Sequence, residues 1–250
     1  MNTNAQSNRV AIVTGSSRGI GAAIAHRLAS DGFAVIVNYA GREADADTVV
    51  AEITAKGGQA AAIKADVAVP AQVAALFDQA TILFGGVDIL INNAGIMQPG
   101  LTMLADTDDA LFDRLVAINL KGTFNTLRVA AKKLRQGGRI VNFSSSVKTL
   151  ALPGYSIYAA TKAAVEVMTD IYAKELRGRN ITVNAVAPGP TATELFLKDK
   201  TPEQIEYLAK LPPMERLAQP EDIANVVSFL VGPDAGWVDG QTLRVNGGIV

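Results

Sequence analysis

Tyr158 and Lys162 stand four residues apart in a stretch of helical composition, which puts a phenol and an ammonium on one helix face. A free tyrosine ionises near pH 10, and a nearby cation stabilises the tyrosinate, so such a pair can pass a proton closer to neutrality. Bringing the phenol into that range takes about 4 kcal/mol, which close charges in a partly dry site can supply. The chain has five tyrosines, so a lysine four residues beyond one of them carries little weight alone. Ser145 adds weight: it lies thirteen residues before Tyr158, at the end of a strand-like run. The carboxyl ends of strands are where α/β sheets bind ligands. Asn119 makes a fourth member. It sits mid-helix on a face shared with Phe112, Leu115 and Thr123, where a buried amide finds partners or costs roughly 1–3 kcal/mol. On spacing alone it reads equally well as a helix-kinking asparagine satisfied by backbone.

A second group of residues could hold an anion. Thr14-Gly15-Ser16-Ser17-Arg18-Gly19-Ile20-Gly21 joins an apolar run to a helical one. Glycines let the backbone turn sharply and approach a pyrophosphate, and a helix start offers free N–H groups and a partial positive charge. The spacing is G-x-x-x-G-x-G rather than G-x-G-x-x-G, and out of context it could be a tight strand-to-helix turn with no ligand. Its place after the first strand and at the opening of a helix favours a dinucleotide. In sites that prefer NAD, an acidic residue ending strand two binds the ribose 2′-hydroxyl. The stretch here is Asn38-Tyr39-Ala40-Gly41-Arg42, with no carboxylate before Glu43. Nothing in it repels a 2′-phosphate, and Arg18 and Arg42 can supply positive charge. NADPH is favoured over NADH.

Other chemistries have no residues to carry them. Cysteine is absent and His26 is the only histidine, so no disulfide framework, thiolate chemistry or multi-histidine metal site is expected, and no metal. A net charge of −1 over 250 residues leaves no basic footprint for nucleic acid. Residues 1–8 are polar and read as a loose tail without an apolar signal core. No run approaches the length of a membrane span, and the protein is read as cytosolic.

The elements that position these side chains alternate along the chain. Val10–Thr14, Ala34–Tyr39, Ala60–Ala65, Val87–Asn92, Arg139–Ser144, Ile181–Ala187 and Thr242–Val245 read as strands. Between them lie helical stretches: one in which Ile20, Ile24 and Leu28 repeat every four residues, then Glu43–Ala55, Val73–Phe84, Asp108–Leu134, Tyr158–Arg177 and Glu221–Leu230. Continuous apolar strands alternating with helices indicate a parallel sheet covered on both faces. The expected architecture is α/β, a single doubly wound Rossmann-type domain over residues 9–250 with about seven strands. Residues 190–220 hold five prolines (Pro190, Pro202, Pro212, Pro213 and Pro220) and read as an inserted substrate lid.

With these residues in place the sequence resembles the short-chain dehydrogenase/reductase family. The resemblance rests on TGSSRGIG (Thr14–Gly21), Asp66, NNAG (Asn92–Gly95), Asn119, Ser145, YAATK (Tyr158–Lys162) and PGPTAT (Pro188–Thr193), all in family order and spacing from Arg9 to Val250. The nearest likeness is to the 3-oxoacyl-carrier-protein reductase-like and carbonyl reductase branch. The resemblance implies hydride transfer from a nicotinamide, with Tyr158 as general acid towards a carbonyl oxygen and Ser145 donating a hydrogen bond to it. It further implies that Lys162 lowers the pKa of Tyr158 and holds the nicotinamide ribose, while Asn119 fixes a water that relays protons. For the cofactor it implies Gly15, Ser17, Arg18, Gly19 and Ile20 at the phosphates and Asn38 and Tyr39 near the adenosine ribose. It also implies Asp66 and Val67 at the adenine, Asn93, Ala94 and Gly95 beside that ribose, and Pro188, Gly189, Thr191 and Thr193 along the nicotinamide. Thr191 stands where family members often carry a branched apolar residue. A homotetramer joined through two long helices and the last strand with its tail is the family expectation.

Ile96–Gln98, Val147–Tyr155 and the insertion are expected to build the substrate pocket. They supply Met97, Leu150, Leu152, Tyr155, Leu195, Phe196 and Met214, an apolar set suited to a hydrophobic ketone or acyl chain. Lys132, Lys133 and Arg135 could receive an acidic carrier protein, though cations are also favourable at a helix C-terminus. Three readings follow: an NADPH-dependent carbonyl reductase, a 3-oxoacyl-thioester reductase, and a non-catalytic dinucleotide-sensing scaffold. The last has no need of Ser145, Tyr158 and Lys162 together.

Overall fold

The computed structural model describes residues 9–198 and 200–250; the tail expected over residues 1–8 lies outside the described residues. Seven strands form one sheet: β1 (Val10–Val13), β2 (Ala34–Tyr39), β3 (Gln59–Lys64), β4 (Val87–Asn92), β5 (Leu134–Phe143), β6 (Thr182–Pro188) and β7 (Thr242–Val245). The helices are α1 (Gly19–Ser30), α2 (Glu43–Ala55), α3 (Pro70–Phe84), α4 (Asp109–Leu115), α5 (Thr123–Lys133), α6 (Val147–Leu150), α7 (Ser156–Glu175), α8 (Glu194–Leu197), α9 (Pro202–Lys210) and α10 (Pro220–Val231). Strand order is β3-β2-β1-β4-β5-β6-β7, every pair parallel, which is the doubly wound Rossmann arrangement. The chain winds outward from β1 to β3, then returns to place β4 on the other side of β1. Loops leaving β1 and β4 therefore diverge, and a crevice opens at the carboxyl edge between them.

Alternation along the strands splits the core in two. Ala11, Val13, Val35 and Ile91 face one side and pack on Ile24 and Leu28 of α1, Ile53 of α2 and Val227 of α10. Ile12, Ile36, Leu90 and Ile140 face the other and pack on Phe77 of α3 and Leu127 of α5. Each fully buried leucine or isoleucine contributes roughly 1.5–3 kcal/mol relative to exposure, so the sheet is the rigid part that carries the loops. Among the described residues no helix is long and apolar enough to cross a membrane.

Several segments depart from the sequence reading, the short helix α6 among them. The uninterrupted helix expected over Asp108–Leu134 is broken by a π-helical stretch, Val116–Gly122, with Asn119 in its middle. The wider turn accompanies bonds that Asn119 makes outside its own helix, described below. Leu134 starts β5 instead of ending the helix, pairing with Val87 before the register shifts and Ile89 meets Arg139. The proline-rich insertion contains two short helices, α8 and α9. At α9 the hydroxyl of Thr201 accepts from the Gln204 N–H at 3.3 Å and the Gln204 amide oxygen accepts from the Thr201 N–H at 3.0 Å, with Pro202 at the first helical position. The base of the insertion is stapled by Ala192 N–H to the Ala218 carbonyl (2.8 Å) and Ala218 N–H to the Pro190 carbonyl (2.9 Å).

Candidate active site

β1 turns through Thr14–Arg18 into α1, and its glycines are demanded by close approach. Gly15 has φ +62°, and a Cβ there would lie 2.9 Å from Cα of Ala94. At Gly21 a Cβ would lie 2.5 Å from the Gly15 carbonyl oxygen and 2.6 Å from Nδ2 of Asn93. Polar side chains tie the same loop down. Asn93 Nδ2 donates to the carbonyls of Thr14 (2.9 Å) and Gly15 (3.0 Å), and Thr14 Oγ1 accepts from Ala94 N–H at 3.0 Å. Asn38 Oδ1 accepts from Gly15 N–H at 3.3 Å while its Nδ2 donates to the carbonyls of Ile63 (3.2 Å) and Ala65 (3.0 Å). The amides of Asn38 and Asn93 are thus spent on shaping the loop. No side chain caps the first turn of α1 and no acidic residue stands in it. Its N–H groups and partial positive charge open onto the cleft, as an anion requires.

The cleft has a volume of about 710 Å³ and runs from this loop past the ends of β4, β5 and β6. Gly15, Ser17, Arg18, Gly19, Ile20, Asn38, Tyr39, Asp66, Val67, Asn93, Ala94 and Gly95 line one end of it. Ser145, Tyr158, Lys162, Pro188, Gly189, Thr191 and Thr193 line the rest. The open helix start, the two arginines Arg18 and Arg42 and the apolar surfaces of Val67, Ala94 and Ile118 fit a phosphorylated dinucleotide.

α7 begins at Ser156, so Tyr158 falls in its first turn and Lys162 one turn on. Lys162 is buried; its ammonium donates to the Phe143 carbonyl at 2.8 Å and lies 5.8 Å from the centroid of the Tyr158 ring. Tyr158 hydrogen-bonds Ser145, whose Oγ also accepts from Val147 N–H at 3.3 Å. The ring of Tyr155 meets that of Tyr158 edge-on at 6.4 Å. Burial pushes the Tyr158 phenol above its ordinary pKa, opposed by the Ser145 bond. Burial also draws the Lys162 ammonium down to about 8. Behind this cluster Ser144 Oγ donates to Glu166 at 2.6 Å, and Glu166 pairs with Lys148 at 2.5 Å. These three clamp the turn after β5 against α7. Sequence reasoning missed them, although Glu166 stands one turn beyond Lys162.

Asn119 lies behind the cleft wall, fully buried. Its Oδ1 accepts from Ile96 N–H at 2.8 Å and its Nδ2 donates to the Ile96 carbonyl at 2.9 Å and to Thr161 Oγ1 at 3.4 Å. The side chain therefore pins the segment after β4 and joins it to α7. The backbone satisfaction expected of a kinking asparagine is present, and it comes from another element.

The apolar end is lined by Met97, Leu150, Leu152, Tyr155, Leu195 and Phe196. Met214 is not among them: it is 62 % exposed and borders a separate small recess beside Pro212 and Gly247. Gln98 is buried and donates to the Gly154 carbonyl at 2.7 Å instead of lining the pocket. Leu208, Leu211 and Ile249 line the cleft without having been anticipated, brought in by the insertion and the C-terminal segment.

Fold and site together define a doubly wound α/β protein with a nucleotide cradle and a serine–tyrosine–lysine cluster in one cleft. Residues 15–250 match the family described as enoyl-(acyl carrier protein) reductase. The NADPH-dependent aldehyde reductase-like chloroplastic protein of Arabidopsis thaliana is 46% identical, with 97% of this chain and 94% of that protein covered. A 3-oxoacyl-[acyl-carrier-protein] reductase of Staphylococcus epidermidis is 43% identical over 97% of this chain and 99% of its own length. The crystal structure of a short-chain dehydrogenase from Burkholderia cenocepacia in complex with NADP superposes with a TM-score of 0.91 at 40% identity, covering 98% of each chain. The chain belongs to the short-chain dehydrogenase/reductase family and is an oxidoreductase of that family.

Proposed function

We propose that the protein is an NADPH-dependent carbonyl reductase: a hydrophobic ketone or aldehyde, NADPH and a proton give the alcohol and NADP⁺. The observation that carries this reading is that Ser145, Tyr158 and Lys162 meet in the same cleft as the open start of α1 and an apolar pocket. The NADPH-dependent aldehyde reductase-like relative and the neighbour solved with NADP support it. In this reading Gly15, Ser17, Gly19 and Ile20 hold the pyrophosphate, with Arg18 and Arg42 at the 2′-phosphate. Asp66 and Val67 meet the adenine, Asn93–Gly95 follow the ribose, and Pro188–Thr193 follow the nicotinamide. The bound cofactor supplies the hydride.

The chain supplies the proton and the polarisation. Ser145 donates to the carbonyl oxygen and stabilises charge as it develops there. Tyr158, kept protonated by burial, gives its proton to the same oxygen. The Lys162 ammonium then stabilises the tyrosinate until solvent restores the proton. Asn119 keeps the Ile96 segment in place through its side-chain amide, while its main-chain carbonyl accepts from Thr123 Oγ1 at 3.0 Å.

The test follows absorbance loss of NADPH and NADH near pH 7. The panel is an aryl ketone, an aliphatic ketone, an aldehyde, a 3-oxoester, a 3-oxoacyl thioester and an enoyl thioester, with Tyr158→Phe in parallel. Turnover of a ketone or aldehyde with NADPH is expected, reduced about 10²- to 10⁴-fold in the variant while cofactor binding persists. A clear preference for the 3-oxoacyl thioester selects the second reading, which the Staphylococcus relative favours. Against carrier-protein docking, Lys133 is already paired with Asp78, and Arg135 with Asp88 at 3.3 Å. Binding of NADPH with no turnover across the panel overturns the assignment to these substrate classes and brings forward the sensing scaffold.

A further inference from the structure

Arg18 and Arg42 reach the nucleotide end of the cleft from different loops, one preceding α1 and the other preceding α2. One carboxylate bridges them. Glu194, the first residue of α8, accepts from Arg18 at 2.5 Å and from the two terminal nitrogens of Arg42 at 3.3 and 3.5 Å. The preceding residue, Thr193, lies against the glycine loop: its Cγ2 would be 3.5 Å from a Cβ on Gly19. Arg42 is paired a second time, with Asp45 at 3.2 Å. Among the described residues, two guanidiniums thus pair with two carboxylates. The arginines hold the Glu194 carboxyl below the usual carboxylate range, so it is charged at any neutral pH. A phosphate monoester brings about −1.5 to −2 charges at pH 7. Placed on the same guanidiniums with Glu194 still there, it would leave the cluster strongly negative, and both anions would compete for the same N–H donors.

We propose that Glu194 is a specificity-determining residue of this cleft: its carboxylate occupies the Arg18–Arg42 pair and is displaced by the 2′-phosphate of NADP(H). The proposal rests on the reading of the cleft as an NADP(H) site and deepens it. A cofactor with the phosphate breaks the Glu194 contacts in order to bind, whereas NADH leaves them intact. Glu194 therefore narrows the preference for NADPH that the two arginines create. All three side chains are substantially exposed, so the effect is modest and salt-sensitive.

The experiment measures dissociation constants of NADPH and NADH by nicotinamide fluorescence, and of 2′,5′-ADP and 5′-AMP by calorimetry. The proteins are the wild type, Glu194→Gln and Glu194→Ala, at low and high salt. NADPH and 2′,5′-ADP are expected to bind about 2- to 5-fold more tightly to both variants. NADH and 5′-AMP should bind unchanged, and the gain should shrink at high salt. Equal or weaker binding of 2′,5′-ADP to the variants, with good binding to the wild type, overturns the role of Glu194 alone. So does an equal gain for NADH. Failure of 2′,5′-ADP to bind any of the three proteins removes the NADP(H) reading itself, and the competition with it.

Discussion

Lys162 and Tyr158 are shifted by the same burial in opposite directions, the ammonium down to about 8 and the phenol upward. In the proposed reaction both groups act in their protonated forms: the phenol as the acid, the ammonium as the charge that stabilises what the acid becomes. Raising the pH can therefore only remove activity, and Lys162 is the first of the two to titrate. A group with a pKa of about 8 is still roughly nine-tenths charged at pH 7. We expect kcat/KM for reduction with NADPH to be level up to about pH 7 and to fall with unit slope above about pH 8. The residual activity of Lys162→Met should show no such limb. A wild-type rate that climbs between about pH 7 and 9 would contradict the assignment. The Tyr158–Lys162 pair could be read from sequence because helical period alone fixes it. Asn38 and Asn93 show the converse: an amide at a strand end is visible, but which backbone groups claim it depends on β3 and the glycine loop meeting in space. Glu194 has no local signal at all, since its partner Arg18 is 176 residues away.

Among the elements, strands such as β2 and β4 were legible because both faces are buried and the runs are largely apolar. The break at Asn119 was not, because Val116–Gly122 has ordinary helical composition and departs from the α-helix while Asn119 bonds Ile96 and Thr161 elsewhere in the fold. Helix α9 carried a readable start, Thr201-Pro202-Glu203-Gln204, that the density of prolines obscured. Met214 shows the limit of composition: apolar character does not say which side of an insertion faces the pocket. The glycine loop offers a test at this scale. Gly21→Ala puts a methyl 2.5 Å from the Gly15 carbonyl and should cost about 1–3 kcal/mol, as overpacking does elsewhere. Gly41→Ala meets no atom within 4 Å and should stay within about 0.5 kcal/mol of the wild type. Denaturant unfolding of the two variants decides, and equal effects would mean that the loop relaxes around the added methyl.

At the scale of the whole molecule, exposed apolar side chains lie on several elements, and four of them bear on assembly. Phe124 on α5, Val167 and Ile171 on α7, and Trp237 shortly before β7 are 45%, 56%, 51% and 100% exposed. Contiguous apolar patches mark contact sites, whereas single exposed side chains do not, so the assembly is a matter for experiment. The family resemblance implies a homotetramer through two long helices and the last strand with its tail; α5 and α7 are helices of that kind, and Trp237 lies in the loop before β7. We expect light scattering to give about four times the 26.2 kDa chain mass. Val167→Glu combined with Ile171→Glu should yield smaller species, because closed symmetry sets each new charge against an apolar partner face. Trp237, the chain's only tryptophan, is fully exposed in the single chain; if assembly covers it, its emission should be blue-shifted in the assembly and move to the red on dissociation. A monomeric wild type with fully red emission would overturn the assembly. Ile249 near the C-terminus lines the cleft, so an assembly that holds this tail would bear on the pocket. If the tail is held by neighbouring subunits, freeing it loosens the pocket wall while leaving Ser145, Tyr158 and Lys162 in place. The dissociated variant should then show a KM for the carbonyl compound raised more than its kcat is lowered, and the reverse pattern would mean that the interface supports the catalytic cluster directly.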